Sequence, residues 1–197
     1  MAESVVFNVD QFKAAMIGGG ARANQFFVTL NFPSFVAQGG AAAAQAAFLV
    51  NAASLPGSVV QNTPIQYRGR QVNFAGERVF NPWTITVMND NSFKIRNSLE
   101  AWMNGMNNLV DNTGLTNPVN YQANLAVTQL DRNNAPLKSY TLHSAYPIDL
   151  ADITLNFGDN DTIEQYTVTF QYQHYTVDNA GSVGNLVANA ASSVFGI

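Results

Sequence analysis

Residues 166–173 alternate without interruption. Tyr166, Val168, Phe170 and Tyr172 fall on one side, and Thr167, Thr169, Gln171 and Gln173 on the other. Side chains of a strand alternate between two faces, so this run expects one face in a core and one in water, as in an antiparallel sheet covered on one side. A long β-prone strand is a liability when its edge stays open. It therefore sits mid-sheet or is paired by another subunit.

The rest of the chain extends that pattern. Phe26, Val28 and Leu30 alternate up to Pro33, and Trp83, Ile85 and Val87 alternate with Thr84, Thr86 and Met88. Residues 48–54 read as a strand, as do Ile153, Leu155 and Phe157 before a turn at 158–161. Leu125–Leu130 pairs with Leu137–His143 across Asn133-Asn134. Ile65–Tyr67 and Gln71–Phe74 flank Arg68-Gly69-Arg70, with a further break expected at Ala75-Gly76. A short helix is expected over 7–16, with Phe7, Phe12 and Met16 on one face and Gly18-Gly19-Gly20 ending it. A second, clearer helix follows Asn89-Asp90-Asn91, an expected N-cap cluster, and places Ile95, Leu99, Trp102, Met103, Met106 and Val110 on one stripe. The Gly/Ala-rich segment 37–47 reads as a loop rather than a short Ala-rich helix, because Gly39-Gly40 opens it. The expected fold is mainly β: an antiparallel β-sandwich or partly open barrel with one packed α-helix. Residues 1–178 form the domain, and the small-residue-rich stretch 179–197 an arm.

Composition narrows the use of such a fold. Only 11% of the 197 residues are charged, against roughly a quarter in typical soluble domains. Asn, Gln, Ser and Thr carry the polarity, and a surface of that kind costs little to desolvate against copies of itself. The net charge of -4 argues against a protein that grips phosphates. Beyond Lys138 stand Asp149, Asp152, Asp159, Asp161, Glu164 and Asp178 without a basic residue. There is no cysteine, hence no disulfide, thiolate metal site or thiol catalysis. Glu3 and Asp10 without a preceding basic run expect no signal peptide, and no apolar stretch approaches the ~20 residues of a membrane span.

Residues suited to catalysis are few. His143 and His174 each stand beside a tyrosine in a strand-like run, which reads as a packed or edge histidine rather than a general base. Metalloprotease, nucleophile-elbow and P-loop motifs are absent. The carboxylates of 159–164 lack the length and glycine of a calcium loop and read as turn formers. Arg68, Arg70 and Arg78, interleaved with Tyr67 and Phe74, make too thin a basic footprint for nucleic acid. They fit an arm, residues 55–80, that reaches a neighbouring subunit. No catalytic, cofactor or metal residue is expected, and the chain is read as a non-enzyme.

The block Val72–Asp90 (VNFAGERVFNPWTITVMND) resembles the signature of tail tube proteins of contractile-tailed bacteriophages. There a strand ends in an Ala-Gly-acidic-Arg turn, followed by an aromatic, Trp-Thr-hydrophobic-Thr and an Asn-Asp pair. Leu55-Pro56-Gly57 and the block Leu155–Phe170 are similar to that family in the same order, so the resemblance spans about residues 22–175. It implies hexameric rings with a continuous inner β-barrel, stacked inside a contractile sheath. Baseplate and tail-terminator proteins are the implied further partners, and viral DNA passes through without being held. The implied location is the virion tail, assembled in the host cytoplasm. The Gly/Ala insertion and the tail after Asp178 depart from the family's pattern.

Two sets of positions follow as candidates. Arg68, Arg70, Glu77 and Arg78 are the assembly-interface candidates. Thr167, Thr169, Gln171 and Gln173 are the candidates for the channel wall, because a neutral polar surface does not trap phosphate. The alternative is a tube subunit of a phage-derived contractile injection particle, or a type VI-like secreted ring, that delivers proteins. A sugar-binding β-sandwich would need an aromatic-lined pocket on a monomer.

Overall fold

The computed structural model describes residues 8–16 and 19–179. Its elements run α1 (Val9–Ala15), β1 (Phe26–Thr29), α2 (Gly39–Leu49), β2 (Val50–Ala53), β3 (Ser58–Tyr67), β4 (Arg70–Phe80) and β5 (Trp83–Met88). They continue with α3 (Lys94–Met106), α4 (Pro118–Tyr121), β6 (Ala123–Leu130), β7 (Pro136–Leu150), β8 (Gln165–Gln171) and β9 (His174–Asn179). Seven strands form one sheet in the order β1-β6-β7-β8-β5-β2, with β9 also on β7. Edge strands β1 and β2 approach each other without pairing, so the sheet curls into an open barrel. β3 and β4 form a separate ribbon. Pairing is antiparallel throughout.

The long final strand is present with one break. β8 pairs Tyr146–Leu150 of β7 and β9 pairs Lys138–His143. The register carries through, since Tyr146 faces Gln171 and His143 faces His174. At the join Ser144 takes a positive φ of 55° and the Gln173 amide donates to the His143 carbonyl. That kink shifts the pleat, so Tyr172 and Tyr175 both turn to the core side although they are three residues apart.

The core lies between the sheet and two helices. Val28, Ile85, Val87, Leu125, Val127, Leu142, Val168 and Phe170 meet Ile95, Leu99 and Trp102 of α3, all at most 2% exposed. The Trp83 and Trp102 indoles donate to the Ser54 and Tyr121 carbonyls, which satisfies the one polar atom each ring buries. Phe170 packs between the two tryptophans, with ring centroids 5.8 and 6.2 Å away.

Five expectations are corrected. Segment 37–47 is not a loop: α2 covers most of it, since alanine has the highest helix propensity. Gly39, Ala42 and Ala46 form its buried stripe. A Cβ on Gly39 would stand 2.6 Å from the Phe32 Cβ, so this glycine serves close packing. Gly76 breaks no strand; it marks a bulge in β4, where the register passes from Val60–Arg78 to Asn62–Ala75. Asn89–Asn91 does not supply the N-cap residue of α3. α3 starts behind Phe93, whose φ is 51°, and the Ser92 hydroxyl donates to the Asp90 carboxylate, which holds that group below its ordinary range. Val110 lies beyond α3 and is exposed. Ile153–Phe157 forms no strand, because β8 already occupies the adjacent edge of β7; Leu155 and Phe157 are exposed in the connecting loop.

α1 forms as expected, capped by the Asn8 side chain, but Phe12 and Met16 are exposed. Phe7, Gly18 and all of the arm 179–197 beyond Asn179, which ends β9, lie outside the described residues. No described helix is long and apolar enough to cross a membrane.

Candidate assembly interface

Among the described residues, the β3–β4 ribbon gathers exposed apolar side chains on two paired strands. A two-residue turn joins its strands, Arg68 at φ 46° and Gly69 at φ 80°, both in the left-handed region that a tight hairpin requires. Glycine meets that demand without strain and Arg68 adopts it at a cost. The register puts Val59 opposite Val79, Thr63 opposite Phe74, Ile65 opposite Val72 and Tyr67 opposite Arg70. Paired residues share a face, so Val59, Ile65, Tyr67, Val72, Phe74 and Val79 form one apolar face. Each is 42–62% exposed. The opposite face is mostly polar: beside Val60 and Pro64 it holds Asn62, Gln66, Gln71, Asn73 and Arg78, with the Asn62 and Gln71 amides both donating to the Asn73 Oδ1.

Alternation hid this division in the sequence. The Gly76 bulge inserts one residue into β4 and reverses its parity midway, so the apolar positions 72, 74 and 79 do not look like one face. A Cβ at Gly76 would lie 2.8 Å from the Thr63 Oγ1 and 2.9 Å from the Gln61 carbonyl oxygen. The bulge therefore needs glycine.

The four interface candidates all fall on this ribbon and all are exposed. Arg68 lies over the Tyr67 ring at 5.6 Å. Arg70 stands at the tip of the apolar face, Glu77 in the bulge and Arg78 on the polar face. The ion pairs among the described residues are Lys13–Asp10 and Arg96–Glu100, so none of the four is paired among the described residues.

An aromatic cluster seats the base of the ribbon. Phe80 meets Tyr175 edge-on at 5.5 Å and Tyr172 at 6.0 Å, and Tyr140 packs on Tyr175 at 5.8 Å. The Ser58 and Tyr175 hydroxyls are 3.3 Å apart, and the Asn81 amide donates to the Gly57 carbonyl. Burial pushes the Tyr172 phenol above its ordinary pKa.

The sheet's outer face has a different character. Thr167, Thr169 and Gln171 lie on it, exposed or half-buried, while Gln173 falls in the break and is exposed. The register adds Thr84 and Thr86 beside Thr169 and Thr167, with the Thr84 and Thr169 hydroxyls 3.1 Å apart. Thr141, His143, His174, Thr176 and Asp178 continue it on β7 and β9, and Asp149 stands opposite Thr169. Across β5, β7, β8 and β9 this face carries no lysine or arginine. Its formal charges are Asp149 and Asp178. The sequence placed only the β8 positions here, because the partners of Thr169 are 85 and 20 residues away along the chain.

The histidines meet on this face as a cross-strand pair, their rings stacked 4.6 Å apart at 14°. The His143 Nε2 lies 3.0 Å from the Thr176 Oγ1. Desolvation, then the neighbouring His174, lowers the His143 pKa.

An open antiparallel sheet with a polar outer face free of lysine and arginine, and a projecting ribbon with one exposed apolar face, has the build of a structural subunit. A family model described as phage tail tube protein matches residues 21–178, and the chain belongs to that family. It is 29% identical over 166 residues to the tail tube protein of Serratia phage KSP90, covering 83% of this chain and 93% of that one. It is 28% identical over 132 residues to tail tube protein gp19 of Enterobacteria phage T4, covering 65% and 79%. Among solved structures, a chain of the anti-feeding prophage baseplate shares the fold with a TM-score of 0.60 at 14% identity, covering 82% of this chain and 97% of that one. The sheath-tube complex of an extracellular contractile injection system gives 0.54 at 12%, covering 88% and 99%.

Proposed function

We propose that this chain forms hexameric rings that stack into the inner tube of a contractile phage tail, with sheath outside and baseplate and terminator at the ends. The sheet's outer face lines the channel, and the β3–β4 ribbon reaches a neighbouring subunit. The observation that carries this reading is the pairing of two surfaces in one subunit. One face has no cation and suits a wall past which a duplex slides, since each phosphate neutralised by a lysine or arginine adds affinity through released counterions. The other surface is an apolar ribbon face that no part of the described chain covers, and it suits burial against a copy.

Thr167, Thr169 and Gln171 are the wall residues in this reading, joined by Thr84, Thr86 and Thr141. Gln173 stands at the edge of the wall. Arg70 and Arg68 meet the neighbour from the ribbon tip, and Glu77 and Arg78 meet it from the bulge. DNA passes without specific binding, no reaction is catalysed, and assembly takes place in the host cytoplasm. Two relatives at 28–29% identity are phage tail tube proteins, which favours a virion over a protein-delivering injection particle.

The absence of cysteine gives a clean test. Thr169→Cys and, on the exposed side of α2, Phe48→Cys are assembled separately, and ring or tube formation is checked by negative-stain microscopy. The expected result is that a small maleimide labels both, whereas a large polyethylene-glycol maleimide labels only position 48. Equal labelling by the large reagent overturns the wall assignment, and a monomer at every concentration overturns the tube reading.

A further inference from the structure

β9 does two things at once. On the core side its Tyr175 receives Phe80 and Ser58, the root of the ribbon. On the outer side its first residue, His174, stacks on His143. β9 pairs with β7 alone among the described strands, so its other edge is open. The strand that seats the arm is thus held by one ladder, and a histidine pair closes the end of that ladder.

We propose that the His143–His174 stack is an acid-sensitive latch: neutral rings close the start of β9 on β7, and protonation of both opens it and loosens the seat of the ribbon.

The surroundings favour the neutral pair. Two parallel imidazoles 4.6 Å apart stack well when at least one is uncharged, and repel when both carry a proton. Few groups nearby can offset that repulsion. On β9, Asp178 shares the face but stands opposite Ser139, four residues along the strand, or roughly 13 Å at ~3.3 Å per residue. On β7, Asp149 lies beyond the Ser144 kink, and Lys138 lies over the Tyr140 ring on the core side. β6 presents Asn124, whose Oδ1 accepts from the Ser144 amide, and no titratable group. The β8–β9 junction presents Gln173. Tyr175 points to the core.

The sign follows from linkage. Burial and His174 lower the His143 pKa below 6.5, so the unfolded chain binds the proton more readily than the native one. The contribution of the closed latch is therefore present above the unfolded value and is lost as pH falls from it through the lowered native value.

Hydrogen exchange of the full-length protein, corrected for intrinsic rates, tests the latch at pH 7.5 and 5.5. Amides 175–177 and the root amides near Ser58 and Phe80 are expected to lose about fivefold in protection at the lower pH, the factor two unit charges at this spacing give in water. Protection in β5 and β8 holds. His174→Gln and, separately, His143→Gln remove the loss. Unchanged protection in the natural protein, an equal loss across β5 and β8, or the same loss in both variants overturns the proposal. His174 is exposed and His143 half-buried, so neither substitution empties a core site.

Discussion

The seven-stranded sheet and the β3–β4 ribbon use the same pairing and end in opposite states. Both are antiparallel, and both gather most of their large apolar residues on one face. In the sheet Trp83, Ile85, Val87, Val168 and Phe170 are at most 1% exposed, because α2 and α3 cover them. In the ribbon the corresponding side chains are about half exposed. Among the described residues no helix covers the ribbon as α2 and α3 cover the sheet, and a free two-stranded hairpin is marginal in water. The ribbon is seated by its aromatic root, and among the described residues its apolar face stays uncovered.

That contrast is breakable in four ways, beginning with the largest effect. Trp83→Ala and Trp102→Ala each empty a fully buried site and orphan a backbone carbonyl, so each is expected to cost ~3–5 kcal/mol in folding, read by urea denaturation. Gly76→Ala comes next. Its methyl group has to displace the Gln61 backbone, at a cost of about 1–3 kcal/mol with the ribbon re-registered, seen as new exchange rates in β3 and β4. If Gly76→Ala is silent in stability and in exchange, the bulge is not what sets the ribbon's two faces.

Smaller still in folding, but large in assembly, are Arg70→Glu and Arg78→Glu. Neither arginine has a partner within the described chain, so stability is expected to change by no more than ~0.5 kcal/mol while sedimentation shows impaired ring formation. Unfolding of either variant would make that arginine an intramolecular partner and remove it from the interface. The smallest effect belongs to the outer face. Thr84→Val with Thr169→Val deletes one exposed hydroxyl pair and is expected to shift stability by under about 1 kcal/mol. Thr169→Lys, by contrast, is expected to give assembled tubes a salt-sensitive affinity for duplex DNA that the natural protein lacks, measured by filter binding at two salt concentrations.

Much of the sheet was legible because its signals are local. Alternation around Trp83 and Phe170 is clean, and the 3.6-residue stripe of α3 is written in Ile95, Leu99 and Trp102. Where two local rules competed, reading failed. Gly39-Gly40 suggested a break and the alanines that follow suggested a helix, and packing against Phe32 decided for the helix. Leu155 and Phe157 alternate like a strand yet have none to pair with. The candidates on the ribbon were found from Arg68-Gly69-Arg70, a turn signal, and not from the apolar face beside them, which the bulge conceals.

The sequence by itself determined the class of fold, the polar character of the β8 face and the absence of cysteine, for these depend on spacing and composition. Only the tertiary structure decided that Thr84 stands on Thr169, that His143 stacks on His174, and that Tyr175 seats the root of the ribbon. Those contacts join residues 31 to 117 positions apart. Side-chain periodicity records which way a residue points. Which partner it meets is set by register, and register is fixed only when the whole sheet closes over its core.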